Sequence, residues 1–249
     1  MDVAAYLARI GFTGPTHPTT ETLRALHLAH LYSVPFENLD ISLGRAITCD
    51  QERFYHKIVH LRRGGFCYEL NGAFAELLRR LGFEVTLLSA RGSCGDGSAS
   101  PEFDHLTLRI DLDQPWLADV GFGDSFLEPL RLRAGVEQEQ DGHRFRISAA
   151  GDARIVERQI SDGTWKSQYE FTLQPRQLRD FEARCQFQQT SPDSRFTRQR
   201  ICTLPTRNGR VTLSDLKFIR TTGQIREERI LPSEDEWRAA LWEHFGVRL

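Results

Sequence analysis

The chain has 249 residues, 40% of them hydrophobic and 27% charged, with a formal net charge of −2. That composition allows one large domain or two or three small ones, and it excludes a strongly basic nucleic-acid or anionic-membrane surface. No apolar run approaches a membrane span and the N-terminus shows no basic-then-apolar leader, while five scattered cysteines without a C-x-x-C pair argue against a disulfide framework or zinc knuckle and for a reducing cytoplasm.

Residues 1–82 read as helical. Thr20 is placed to cap a helix whose first turn holds Glu21 and whose inward candidates include Leu23, Leu26 and Leu31. Pro35 ends that pattern. Asp50 is placed to cap a second helix in which Phe54, Ile58 and Leu61 share a face. From Leu70 the apolar residues Leu70, Phe74, Leu77, Leu78 and Leu81 fall at helical spacing, and Gly82 closes the segment.

From Phe83 the period changes to two. Val85 and Leu87 alternate with Glu84 and Thr86, and a polar loop follows from about Gly92 to Asp104. In His105–Ile110 the residues Leu106, Leu108 and Ile110 point one way, and His105, Thr107 and Arg109 the other. A turn at Asp113-Gln114-Pro115 leads into a strand over 116–123. Further short strands are predicted at Phe145–Ile147, Arg154–Ile160 and Trp165–Leu173, a pattern that suggests a barrel or sandwich. Leu178, Phe181 and Cys185 mark a helix broken at Ser191-Pro192. Strands are predicted at Arg200–Leu204 and Val211–Ile219, with Asn208-Gly209 as a hairpin signal. The last helix carries a capping box, Ser233 and Glu236, and an apolar face of Trp237, Ala240, Leu241, His244 and Phe245.

The stretch Arg63-Gly64-Gly65-Phe66-Cys67-Tyr68-Glu69-Leu70-Asn71 organises the chain. A glycine pair ends one helical pattern and Cys67 stands where the next helix begins. Backbone N–H groups at a helix start favour an anion, so a thiol there is expected to ionise more easily. Among eight histidines, the pairs His27/His30 and His56/His60 and the single His244 sit in helical patterns and read as surface or half-buried residues. His105 stands apart, on the strand face opposite the leucines. Asp119 follows in the next strand between Ala118 and Val120, where a carboxylate is costly unless paired. Antiparallel neighbours would bring the two together, giving nucleophile, base and orienter as Cys67, His105 and Asp119.

Five separated segments resemble the arylamine N-acetyltransferase family: Tyr6–Gly11, Val34–Leu39, Arg63–Asn71, Trp116–Gly123 and Ser191–Phe196. The resemblance implies an α+β fold in three parts: an N-terminal helical bundle (1–82) carrying Cys67, a central β-barrel (83–190) carrying His105 and Asp119, and a C-terminal α/β lid (191–249). It implies a ping-pong reaction in which Cys67 takes acetyl from acetyl-CoA and passes it to an arylamine, hydrazine or arylhydroxylamine. It also implies substrate contacts from Phe122, Asp104 and Phe66, contacts to CoA from Gly123, Asp124 and Ser125, and a supporting ion pair between Glu37 and Arg63. Acetyl-CoA is then a cosubstrate, with no permanent cofactor, no metal, no nucleic acid and no membrane, and the protein a cytoplasmic monomer or homodimer. The C-terminus is shorter than in many relatives.

Other classes use the same residues. A cysteine hydrolase or transglutaminase-like enzyme shares the Cys-His-Asp logic without CoA, an amide synthase would close a macrocycle, and a scaffold protein would show no reactive thiol. A metal site lacks any supporting Cys/His spacing.

Overall fold

The computed structural model describes residues 1–94 and 97–249, so Gly95 and Asp96 of the predicted polar loop lie outside the described residues. Helices come first: α1 (Val3–Arg9), α2 (Thr20–Ser33), a two-residue strand β1 (Phe36–Glu37), α3 (Leu39–Ser42) and α4 (Gln51–Tyr55). Asp50 caps α4 as expected, but the cap of α2 is Thr19, whose side chain accepts from the Thr22 N–H. A π-helical turn, His56–His60, continues α4. The Leu61 N–H bonds back to the His56 carbonyl, so the turn holds one residue more than an α-turn. That extra residue rotates Leu61 off the Phe54/Ile58 face. Leu61 is exposed, against expectation, while Phe54 and Ile58 are fully buried.

Helix α5 (Cys67–Arg80) is the central post. Leu70, Phe74, Leu77 and Leu78 are withdrawn completely from solvent, each contributing roughly 1.5–3 kcal/mol of burial free energy. They pack on the leucine face of β3 (His105–Asp111).

Eight antiparallel strands form one strongly curved, barrel-like sheet. In chain order they are β2 (Glu84–Gly92), β3, β4 (Pro115–Ala118), β5 (Leu130–Arg131), β6 (Glu137–Gln140), β7 (His143–Ala150), β8 (Ala153–Gln159) and β9 (Trp165–Arg176). Their spatial order is β5-β4-β3-β2-β9-β8-β7-β6. One face of β2 and β3 meets α5; the other belongs to the barrel core of Leu88, Ala90, Tyr169 and Phe171. With both faces covered, Leu87, Leu88 and Ala90 are all buried, and the simple alternation expected from Val85 and Leu87 is lost.

A 3₁₀ turn (Leu178–Phe181) leads into α6 (Glu182–Thr190), followed by α7 (Arg195–Arg198). The second sheet holds β10 (Ile201–Thr206), β11 (Gly209–Ser214), β12 (Lys217–Thr222) and β13 (Ile225–Ile230). The single strand predicted at Val211–Ile219 is two strands joined by a tight turn, with Asp215 at a φ of 50°. The edge of this sheet is β1, so a strand from the first 82 residues completes the sheet of the last third. Helix α8 (Glu234–Phe245) is capped by Ser233 as expected and buries Trp237, Ala240, Leu241 and Phe245.

Candidate active site

Cys67 is the first residue of α5 and only 4% exposed. The glycines before it permit close approach. A Cβ on Gly64 would stand 1.9 Å from the Pro35 carbonyl oxygen. Gly121 plays the same part from the far side, since a Cβ there would meet the Cys67 Cα at 2.8 Å. The loop after β4 therefore lies directly against the start of α5.

His105 opens β3. Its Nε2 donates to Asp119 Oδ2 at 2.6 Å, which leaves Nδ1 as the ring's acceptor. The pairing was expected; the backbone around it was not. β4 stops at Ala118, and 119–123 is a loop rather than the end of a strand. The reason is that side chains take the backbone groups a ladder would use. The Asp119 N–H donates to His27 Nε2 at 3.0 Å, the Val120 N–H to Asn71 Oδ1 at 2.9 Å, and the Gly121 N–H to Asp119 Oδ1 at 3.0 Å. Asn71 Nδ2 also donates to Asp119 Oδ1 at 2.8 Å and to the Leu106 carbonyl at 2.6 Å. Asn71 and His27 were both missed as site residues. Asn71 had a signal, one helical turn after Cys67 on the face turned to the strands. His27 had none: it and His30 are fully buried, not surface residues.

Burial works against the Asp119 carboxylate, yet His105, Asn71 and the Gly121 N–H hold it below the usual aspartate value. His27, sealed in the core, is pushed down to about 4 mainly by burial. It is a neutral imidazole donating from Nδ1 to the Leu127 carbonyl at 2.7 Å.

Cys67 departs from the sequence expectation. Burial pushes its thiol well up, and the carboxylates of Asp104 and Asp119 add to the rise. Hydrogen bonding from the backbone at Leu106 and Tyr68 opposes it without winning. The helix start is a weaker influence here than desolvation.

Cys67 and His105 open onto one cleft of about 930 Å³, shared with Phe122, Asp104, Gly123 and Asp124. Phe122 is half-buried, edge-on to His105 with ring centroids 5.3 Å apart and 5.1 Å from Tyr169. Arg184 donates to the Asp104 carboxylate at 2.7 Å, joined by Gln188. A second cleft of about 940 Å³ adjoins, sharing Ser93, Phe122, Asp124 and Gln168. Asp124 lies at the junction, 3.5 Å from Arg158 and 3.4 Å from Arg210.

Two expected contacts are not made. Phe66 precedes the helix and is fully buried, its ring against Tyr68 and Phe196, so it does not line the cleft. Ser125 turns its hydroxyl to Gln168 Oε1 at 2.5 Å instead of facing the cleft. Behind the first turn of α5, Arg63 Nε donates to Glu37 Oε1 at 2.9 Å, with a second guanidinium nitrogen at an ion-pair distance of 2.8 Å, within a larger cluster. Lys57 Nζ lies 2.8 Å from both Asp40 and Glu69. Glu69 accepts from the Phe66 N–H, and burial pushes its carboxyl up to about 7. Among the described residues no group of three or more His, Cys, Asp or Glu is placed to hold a metal ion.

A family profile described as N-acetyltransferase matches residues 19–249. The arylamine N-acetyltransferase of Escherichia coli (strain K12) is 35% identical over 246 residues, covering 97% of this chain and 87% of that protein. The chain belongs to the arylamine N-acetyltransferase family. An arylamine N-acetyltransferase structure from Mycobacterium smegmatis superposes with a TM-score of 0.93 at 33% identity, covering 100% of this chain and 93% of that one. The Mycobacterium marinum arylamine N-acetyltransferase in complex with CoA gives 0.92 at 30% identity, covering 99% and 93%. As a member of this family the chain is an acyltransferase.

Proposed function

We propose that the protein transfers acetyl from acetyl-CoA to the nitrogen of arylamines and arylhydrazines, or the oxygen of arylhydroxylamines, through an acetyl-Cys67 intermediate. The observation that carries this reading is the opening of Cys67 and the Asp119-paired His105 onto one cleft. A lone thiolate is expensive at this buried site, so the proton must leave as the nucleophile forms. His105 Nδ1 takes it, giving a thiolate beside an imidazolium whose charge Asp119 supports. The thiolate attacks the thioester carbonyl, the sulfur–acyl bond forms, and the CoA thiolate leaves with the proton from His105. An amine then attacks acetyl-Cys67, His105 accepts its proton, and the Cys67 thiol is restored.

Thioester exchange keeps the acyl group activated, which suits a weakly basic aromatic amine. Phe122 supplies an aromatic wall next to His105 for that acceptor, and Asp104 and its Arg184 partner stand at the same cleft. For CoA, the support is the junction at Gly123 and Asp124. A phosphate arriving there would compete with Asp124 for Arg158 and Arg210, and the adjoining cleft gives room for a long donor. Phe66 acts at one remove, by backing Phe196 at the cleft wall. Glu37 and Arg63 hold the α5 start in place. Free cysteines fit a reducing cytoplasm.

The decisive experiment uses acetyl-CoA alone. The protein should gain one acetyl group on the tryptic peptide containing Cys67 and release one equivalent of CoA before any amine is added. A later arylamine should discharge the adduct. CoA release only in the presence of amine, or acetylation of another cysteine, would remove the two-step mechanism.

A further inference from the structure

Between the end of β4 at Ala118 and the start of β5 at Leu130 the chain forms no helix or strand. This segment carries Asp119, and it carries Phe122, Gly123 and Asp124 along the wall of the cleft that Cys67 and His105 share. Side chains from other elements hold it, and one of them takes both ends. His27, fully buried in α2, accepts from the Asp119 N–H at its Nε2 (3.0 Å) and donates from its Nδ1 to the Leu127 carbonyl (2.7 Å), partners 92 and 100 residues away in sequence.

A backbone N–H only donates and a carbonyl only accepts, so one neutral tautomer satisfies both ends and no other state of the ring does. Burial keeps His27 in the neutral state. Two aromatic rings hold the imidazole in place. Phe126, itself in the segment, stacks on it with centroids 5.9 Å apart, and Phe74 of α5 meets it near-perpendicular at 6.0 Å. A leucine would fill much the same space and make neither bond.

We propose that His27 is a positioning residue for acyl transfer: without touching substrate, it fixes through the backbone where the Asp119 carboxylate meets His105 and where Phe122 stands in the cleft. Its effect on rate depends on the function proposed above; its hold on Asp119 does not. One arm is short, because the N–H that His27 holds belongs to Asp119, whose Oδ2 accepts from His105 Nε2 at 2.6 Å. The other runs along the segment. With both ends pinned, Phe122 is kept edge-on to His105, centroids 5.3 Å apart. Further anchors share the hold: Asn71 accepts from the Val120 N–H, and Gln140 accepts from the Leu127 and Glu128 N–H groups. Losing the His27 bonds therefore shifts the segment more than it unfolds it. A shift of about 1 Å at reacting groups is enough to cost roughly 100-fold in rate.

The test compares full-length variants with wild type per folded molecule, the folded fraction taken from circular dichroism. His27→Leu removes both bonds and keeps the bulk; His27→Gln keeps a neutral acceptor and a neutral donor on a side chain of similar reach. First-turnover release of CoA from acetyl-CoA should slow roughly 10- to 100-fold in His27→Leu, and arylamine KM should rise several-fold, with both returning most of the way in His27→Gln. The proton between His105 and Asp119 should resonate far downfield in wild type and His27→Gln, and shift upfield or broaden away in His27→Leu. Either wild-type kinetics or an unmoved resonance in His27→Leu would overturn the proposal, as would equal impairment of the two variants. Should His27→Leu not fold, His27→Asn, which reaches Leu127 from the Nδ1 position but not Asp119, takes its place with the same slowing of CoA release expected. A wild type that releases no CoA from acetyl-CoA would count against the proposed function, while the resonance in the variants still decides whether His27 positions Asp119.

Discussion

On one side of the first turn of α5, Lys57 and Arg63 meet three carboxylates, Glu37, Asp40 and Glu69, all within ion-pair distance of an opposite charge. On the other side, His105 meets one carboxylate, and the charged groups that bear on Cys67 are the carboxylates of Asp104 and Asp119. Both clusters are buried and polar. The first gives each carboxylate a cation within ion-pair distance, and the closing of those pairs fixes where Pro35–Glu37 and the glycine pair lie. The second is left one partner short next to a cleft, and a thiol and an imidazole so placed have a proton to exchange. Buried polar groups are thus used in two ways around one helix turn: paired, they position; under-paired, they react.

The largest expected effect breaks the reactive side. Asp119→Asn should lower acetyl transfer by about 10⁴-fold, because the orienting acceptor for His105 is gone. Melting temperature and circular dichroism should change far less than for the ion cluster; a rate loss that tracked unfolding would erase the distinction. Next comes the positioning side. Arg63→Met leaves Glu37 and Asp40 short of a buried cation and should cost roughly 3–5 kcal/mol in denaturant unfolding. Turnover per folded molecule should fall much less.

The two clusters also differ in the sign of their pH dependence. His27 has a folded pKa of about 4 against its usual 6.5, so the unfolded chain binds the extra proton between those values. Stability from this group is present above pH 6.5 and is lost on acidification toward pH 4, by about 3 kcal/mol. Glu69, raised from 4.5 to about 7, runs the other way, since its stabilisation is complete below pH 4.5 and is lost as pH rises through 7. His27→Gln should therefore flatten the acid limb of a stability profile, and Glu69→Gln the limb between pH 4.5 and 7. Identical profiles in both variants would refute the assignment. The smallest effect concerns choice of acceptor. Phe122→Ser should shift KM among arylamines while leaving acetylation of Cys67 by acetyl-CoA nearly unchanged; equal loss in both half-reactions would detach Phe122 from the acceptor.

Local signals read well where one neighbour decides the structure. Asp50 and Ser233 cap their helices because a short side chain meets its own N–H groups. The leucine spacing of α5 and the alternation in β3 survive because Leu70, Phe74, Leu77 and Leu78 of the helix share one core with Leu106, Leu108 and Ile110 of the strand. Signals failed where a distant partner decides. The strand through Asp119 stops because His27 and Asn71 capture its backbone, whereas Leu61 leaves its predicted face for a local reason, the π-turn just before it. Phe66 and Ser125 carry the right motif but point elsewhere.

The order of Cys67, His105 and Asp119, the change of period at Phe83 and the capped helices were fixed by the chain alone, since they depend on residue identity and local spacing. The elevated Cys67 thiol, the neutral core position of His27 and the closure of the second sheet by β1 were decided only in three dimensions. Desolvation and pairing between segments far apart in the chain act only once those segments have been brought together.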